Sequence, residues 1–225
     1  MFFDMIVYNK PIQRGAMSDK GITKHITATP EMRAYLANAD PILGALIEKY
    51  GVIDYELHAG YLSALLSNIV GQQLSNRVAD VIWSRFLALL DGPLTAEKVL
   101  AADDEKLRGA GMSYSKAAYL KNICRAVTEG RLQLDRFDEM PDEAVIAQLT
   151  AIKGIGAWTA EMFLIFSLGR ADIFSKGDGG LSRAINNLYA GGAELSVKER
   201  LAITEAWKPF CSIASLYLWR SLDNQ

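Results

Sequence analysis

Cysteine is scarce in this chain: Cys124 and Cys211 are the only two among 225 residues, far apart and without CxxC or metal-ligand spacing. That pattern excludes a zinc site and a four-cysteine iron–sulfur cluster, and it fits a reducing cytoplasm. His25 and His58, the two histidines, show no ligand spacing either and read as surface or packing residues. A basic excess is also missing, since 24 Lys+Arg stand against 26 Asp+Glu for a net charge of −2. A protein that holds nucleic acid by bulk electrostatics carries such an excess or a basic stripe. Any contact with nucleic acid must therefore be local. The opening MFFDMIVYNKPIQRGAMSDKG is too short in apolar run and too polar for a signal peptide or a membrane anchor. Residues 1–28 read as a poorly ordered extension, with Met17 as a second candidate start. No alternating strand, internal repeat or low-complexity tract is visible.

Half of the residues are hydrophobic, enough for one large core or two smaller subdomains. Nearly all of the chain reads as helix. Thr29-Pro30-Glu31 is a helix start: a capping hydroxyl, Pro at the first position and an acid in the first turn. Asp40-Pro41 repeats the signal and places Ile42, Leu43, Leu46 and Ile47 along one face. An apolar helix over Tyr61–Val70 ends at Gly71-Gln72-Gln73, and an amphipathic one follows from Ser75 to Leu90. Thr95 and Asp103 open two short helices, the second broken by Gly109 and Gly111, and Ser115–Glu129 resumes. Helices are expected over Pro141–Leu149, Trp158–Leu168 and Gly179–Tyr189, with two more divided near Pro209.

The most informative stretch is Leu149–Arg183, LTAIKGIGAWTAEMFLIFSLGRADIFSKGDGGLSR. In Ile152-Lys153-Gly154-Ile155-Gly156 the glycines permit positive φ and let a phosphate approach the backbone, whose exposed amides can grip it without a cationic side chain. Leu149, Ile152 and Ile155 would anchor the turn; the same residues also suit an ordinary tight helix–helix connection. Asp178 follows in a glycine-rich turn, where it serves equally as a helix N-cap or as a carboxylate beside a sugar held by the grip. A grip and an acid together suggest chemistry on a nucleotide.

These residues resemble the helix–hairpin–helix DNA glycosylase superfamily, in its 3-methyladenine-DNA glycosylase II (AlkA-type) branch. The resemblance is carried by LTAIKGIGAWTAEMFLIFSLGRADIF with Asp178, by Asn68-Ile69-Val70-Gly71-Gln72-Gln73-Leu74-Ser75, and by LRGAGMSYSKAAY over Leu107–Tyr119. It spans about Asp40 to Trp219. It implies an all-α fold of two helical subdomains with a cleft between them. One is expected over 29–59 plus 171–225 and carries the acid; the other, over 60–170, carries the hairpin. The β-rich N-terminal subdomain of some relatives finds no room.

The resemblance makes Asp178 the catalytic acid, stabilising positive charge on the deoxyribose or orienting the attacking water. Trp158 stands where family members that also cut the backbone carry a nucleophilic lysine, which implies a monofunctional enzyme. Trp158, Met162 and Trp219 map to the base pocket, where electron-rich rings suit an electron-poor alkylated purine. Trp158 and Trp219 also suit plain core packing. Gln73 maps to the wedge that fills the gap left by a flipped nucleotide, with Gln72 beside it; loop capping is the ordinary alternative. Lys153, Gly154, Ile155, Gly156 and Thr159 complete the expected DNA contacts. The family's hairpin holds a monovalent cation, Na+ or K+, on backbone carbonyls that map to Thr150, Ile152 and Ile155. No cofactor is expected for catalysis. Four positions depart from the family's habit: Lys153 and Ser175 stand where proline is frequent, Gly177 where a second acid is, and Met162 where better-known members have tyrosine. The expectation is excision of alkylated purines, 3-methyladenine foremost and 7-methylguanine beside it, from duplex DNA by a cytoplasmic monomer. Excision of deaminated or oxidised bases, and a non-catalytic DNA-binding module, stay open.

Overall fold

The computed structural model describes residues 24–58 and 60–223, so most of the expected N-terminal extension and Met17 lie outside the described residues. Helix predominates. In order the elements are β1 (His25–Thr27), α1 (Pro30–Ala39), α2 (Pro41–Tyr50), β2 (Asp54–Glu56), α3 (Tyr61–Gly71), α4 (Asn76–Leu89), α5 (Ala96–Ala101) and α6 (Asp104–Gly109). There follow α7 (Tyr114–Thr128), α8 (Asp142–Thr150), α9 (Ala157–Phe166), α10 (Gly179–Ala190), α11 (Val197–Thr204) and α12 (Cys211–Leu222).

The chain divides into two compact units, one built from residues 24–57 and 164–223, the other from His58–Phe163. The division falls inside α9. In the first unit, Thr29 caps α1 through its hydroxyl and Asp40 caps α2, each ahead of a Pro at the first helical position. That Pro has a fixed φ and no amide, so it removes one of the donors a helix start leaves without partners. Residues 211–219 of α12 are all buried, which makes it the central helix of this unit, packed on α2 and α10. Tyr217 on α12, and Leu36, Leu43 and Trp207 elsewhere in the unit, are fully buried.

The expectation of a chain without strands needs correction here. β1 and β2 pair antiparallel, with His25 opposite Glu56, Ile26 opposite Tyr55 and Thr27 opposite Asp54. Residues 25–27, counted with the extension in the sequence, are thus built into the fold. Three residues are too few to display the period-two alternation by which a strand is read. The pairing shows instead in cross-strand polar contacts, Asp54 meeting both His25 at 2.8 Å and the Thr27 hydroxyl.

In the second unit α7 packs against α3, α5 and α6, and α4 against α3 and α6. Leu65, Leu66, Ile69, Phe86, Leu107, Leu120, Phe137 and Phe163 are fully buried. Phe163 makes T-shaped contacts with two rings, Tyr61 at 5.6 Å and Phe137 at 5.8 Å between centroids. Gly109 ends α6 from inside the helix rather than breaking it. Among the described residues no helix is long and apolar enough to cross a membrane.

Candidate functional site

Asp178 is the N-cap of α10, and its Oδ1 accepts the Leu181 amide at 2.7 Å. The capping reading therefore holds, and it does not exhaust the residue. The same oxygen accepts the indole N–H of Trp219 at 3.0 Å, delivered from α12. Asp178 is 3% exposed and Trp219 is 2% exposed. A buried carboxylate needs such donors, because desolvation of an unpartnered anion is costly. Gly180 makes the approach feasible: a Cβ there would stand 3.1 Å from Asp178 Oδ1 and 3.3 Å from the Trp219 ring. Trp219 also stacks, tilted by 32°, on Phe166 at 5.8 Å.

The segment leading to Asp178 is sewn onto the start of α12. The Ser212 amide donates to Ala171 O at 2.9 Å, its hydroxyl accepts from the Ile173 amide at 2.9 Å, and the Cys211 amide donates to Asp172 Oδ1 at 3.2 Å. A turn from Ser175 O to the Asp178 amide, 3.0 Å, completes the placement. The acid is thus held by α10, α12 and the loop between α9 and α10, at a position where Ser175 is fully buried and Gly177 exposed.

The other unit carries the hairpin between α8 and α9. Leu149, Ile152 and Ile155 are buried, and the turn is closed by Ile152 N to Leu149 O at 3.1 Å and Ile155 N to Ile152 O at 3.0 Å. Gly154 has φ +115°, and a Cβ on it would stand 2.4 Å from the Tyr119 ring. Only glycine fits there. Lys153 is exposed, and its carbonyl accepts the Asn122 side-chain amide at 3.2 Å. Past Gly156 the first-turn amides of α9 lack carbonyls four residues back, and Ala160 N closes on Gly156 O at 3.1 Å. Thr159, on the first turn of α9, is buried. Trp158 and Met162 lie four residues apart on α9 and so share a helix face, Trp158 half-buried and Met162 buried.

Gln72 caps the C-terminus of α3, its amide donating to Asn68 O at 3.1 Å and to Ile69 O at 3.4 Å. Gln73 stands just beyond it, exposed, with φ +59°. Left-handed backbone in a residue with a Cβ is uncommon and marks a loop whose shape is imposed by its surroundings. The structure thus gathers Gln72 and the hairpin in one unit, where Gln72 Nε2 reaches Gly154 O at 3.5 Å. It gathers Asp178 with Trp219 in the other. Two features escaped the sequence. The Trp219 bond to Asp178 joins residues 41 apart. Lys116, Tyr119 and Asn122 support the loops from α7; Lys116 and Tyr119 lie in the Leu107–Tyr119 motif, but nothing in that motif names the loops they reach.

Residues 66–209 match the family model described as HhH-GPD superfamily base excision DNA repair protein. The chain is 32% identical to YfjP of Bacillus subtilis over 192 residues, 80% of this chain and 66% of that protein, just under two thirds of its length. It is 32% identical to DNA-3-methyladenine glycosylase 1 of Schizosaccharomyces pombe over 160 residues, 70% of each chain. The crystal structure of a DNA-3-methyladenine glycosidase from Bacillus halodurans superposes with a TM-score of 0.81 at 38% identity, covering 89% of this chain and 93% of that one. The Schizosaccharomyces pombe 3-methyladenine DNA glycosylase Mag1, in complex with abasic DNA, superposes with a TM-score of 0.74 at 27% identity, over 86% and 97%.

Proposed function

The chain belongs to the HhH-GPD superfamily of base excision DNA repair proteins, and from that premise we propose that it excises alkylated purines, 3-methyladenine foremost and 7-methylguanine beside it, from duplex DNA. It is a DNA glycosylase of the 3-methyladenine type. The observation that carries the chemistry is the buried carboxylate of Asp178, fixed through Oδ1 by the Leu181 amide and the Trp219 indole.

As the N-glycosidic bond of the flipped nucleotide lengthens, positive charge develops on the deoxyribose. A carboxylate already held in a dry setting stabilises that charge without reorganising, or orients the water that attacks C1′. The product is a free base and an abasic site. Trp158 has no nucleophilic atom, so no covalent intermediate with the sugar forms at that position and the phosphodiester stays intact. Its ring, with Met162 one turn on, supplies an electron-rich and polarisable face to a cationic purine. Hairpin amides and Lys153 grip the backbone, and Gln73 fills the gap.

Carbonyls at Thr150, Ile152 and Ile155 would supply a neutral oxygen donor set of the kind that suits Na+ or K+. Thr150 closes α8, where helix-end carbonyls lie beyond the last intrahelical bond, and Ile152 O keeps a second lone pair beside the Ile155 amide bond. An ion there would add positive charge to the grip and take no part in bond cleavage. Action as a monomer beside chromosomal DNA in the cytoplasm completes the reading. The test is release of bases from methylated duplex DNA followed by chromatography. Free 3-methyladenine is expected, with no strand cut before alkali and no adduct trapped by borohydride. Release of deaminated or oxidised bases alone would overturn the substrate assignment, and a trapped adduct would overturn the hydrolytic one.

A further inference from the structure

Lys116, Tyr119 and Asn122 follow one another at a spacing of three on α7, and such a row runs along one side of a helix. Each supports a different part of the two loops that face the DNA in the reading above. The Lys116 ammonium donates to Val70 O at 2.8 Å and to Gln72 O at 2.7 Å, spanning Gly71 at the end of α3. The Tyr119 ring lies under Gly154, and Asn122 donates to Lys153 O. The row covers just under two turns, a rise of about 9 Å, with the Gln72–Gln73 loop at one end and the hairpin at the other.

We propose that Lys116 is a positioning residue for strand insertion: it holds the Gln73 loop in its left-handed, projecting shape and ties that shape to the helix that seats the hairpin. This rests on the reading of Gln73 as the wedge. The physical case has three parts. The carbonyls of Val70, in the last turn of α3, and of its cap Gln72 lie at a helix end, where the helix supplies no further amides and where a cation is favoured by the helix dipole. A lysine head offers three donors on a long stem, so one ammonium can span carbonyls two residues apart. Lys116 is half-buried, and that burial pulls its ammonium below the ordinary lysine range. Without these bonds the carbonyls turn to solvent, and Gln73 relaxes from φ +59° towards ordinary backbone. The wedge then has to be assembled on the DNA rather than presented to it.

The test needs no bond cleavage. Binding of the full chain is measured by fluorescence anisotropy to an intact duplex and to one carrying a tetrahydrofuran abasic-site analogue. The wild type is expected to prefer the second duplex, whose gap the wedge fills. Lys116→Met should lose about tenfold of that preference while keeping its affinity for intact DNA within about threefold, because the hairpin is unchanged. Gln73→Ala should show the same loss, and the double variant no more than either single one, since both remove one event. Lys116→Gln, which can still donate to one carbonyl, is expected to lie between and serves if the Met variant does not fold. Undiminished preference in a folded Lys116 variant overturns the proposal, as do additive losses in the double variant or equal binding of both duplexes by the wild type. Absence of base release from methylated DNA would instead count against the glycosylase substrate, which these two duplexes do not probe.

Discussion

Asp178 caps α10, and in the function proposed above its charge also serves the chemistry, two roles that a single substitution can separate. Its Oδ1 is an acceptor for the Leu181 amide and the Trp219 indole, a task that any side-chain carbonyl oxygen can perform. Its charge is what a developing oxocarbenium would draw on in the proposed reaction. In Asp178→Asn the oxygen survives and the charge does not. The expected result is a melting temperature within a few degrees of the wild type, with base release slowed at least about a hundredfold, or about 2.7 kcal/mol in the barrier. Retained rates under single-turnover conditions would remove Asp178 from the chemistry. Trp219 divides similarly. Trp219→Phe keeps a ring to stack on Phe166 but removes the N–H, a hydrogen bond to a charged group worth about 1.5–3 kcal/mol. If holding the carboxylate is its principal role, release falls by about tenfold or more; if stacking suffices, the rate is unchanged.

The elements that bring these residues into place make their own demands, and two of them are exposed to single changes. The α8–α9 hairpin closes over Tyr119, and a methyl at Gly154 would meet that ring at 2.4 Å on a backbone with φ +115°. Gly154→Ala is expected to cost at least about 2 kcal/mol in urea unfolding, and to weaken binding to any duplex rather than to lesion-bearing DNA alone. In the other unit Asp40 ends α1, caps α2 through Oδ1, and accepts the Tyr189 hydroxyl at 2.6 Å and the Trp207 indole at 2.8 Å through Oδ2. Asp40→Ala leaves buried donors without an acceptor and should lower unfolding free energy by roughly 3 kcal/mol or more. Only part of this could be read from the chain. The starts of α1, α2, α5 and α6 were legible because each cap is followed within a few residues by a Pro (α2), a first-turn acid (α5 and α6) or both (α1). The hairpin was legible because its signals are equally local. The Asp40 network was not, since its partners lie 149 and 167 residues away, and neither was Lys116, whose carbonyl acceptors carry no side-chain signature at all. Trp219 was placed by resemblance at the base pocket; that it also fastens the acid depends on helix packing that no local spacing encodes.

At the scale of the molecule, an enzyme with a net charge of −2 has to find and hold a polyanion. In the proposed reading, hairpin amides and a helix start would give attraction that is short in range and built from dipoles, able to place a phosphate without a surrounding field of cations. The consequence is measurable in the salt dependence of binding. Each phosphate neutralised by a cationic side chain adds about −0.9 to the slope of log K against log salt. With Lys153 the one cationic side chain on the hairpin itself, a slope no steeper than about −3 is expected, well short of that of a basic DNA-binding domain. Lys153→Ala should make the slope shallower by about one and weaken binding equally for intact and lesion-bearing duplexes, because a phosphate contact carries no information about the base. Anisotropy titrations across a series of potassium chloride concentrations read both numbers. A steep slope in the wild type would mean that cations elsewhere on the surface carry the binding; an unchanged slope in the variant would take Lys153 off the backbone and leave the grip to the amides and any bound cation.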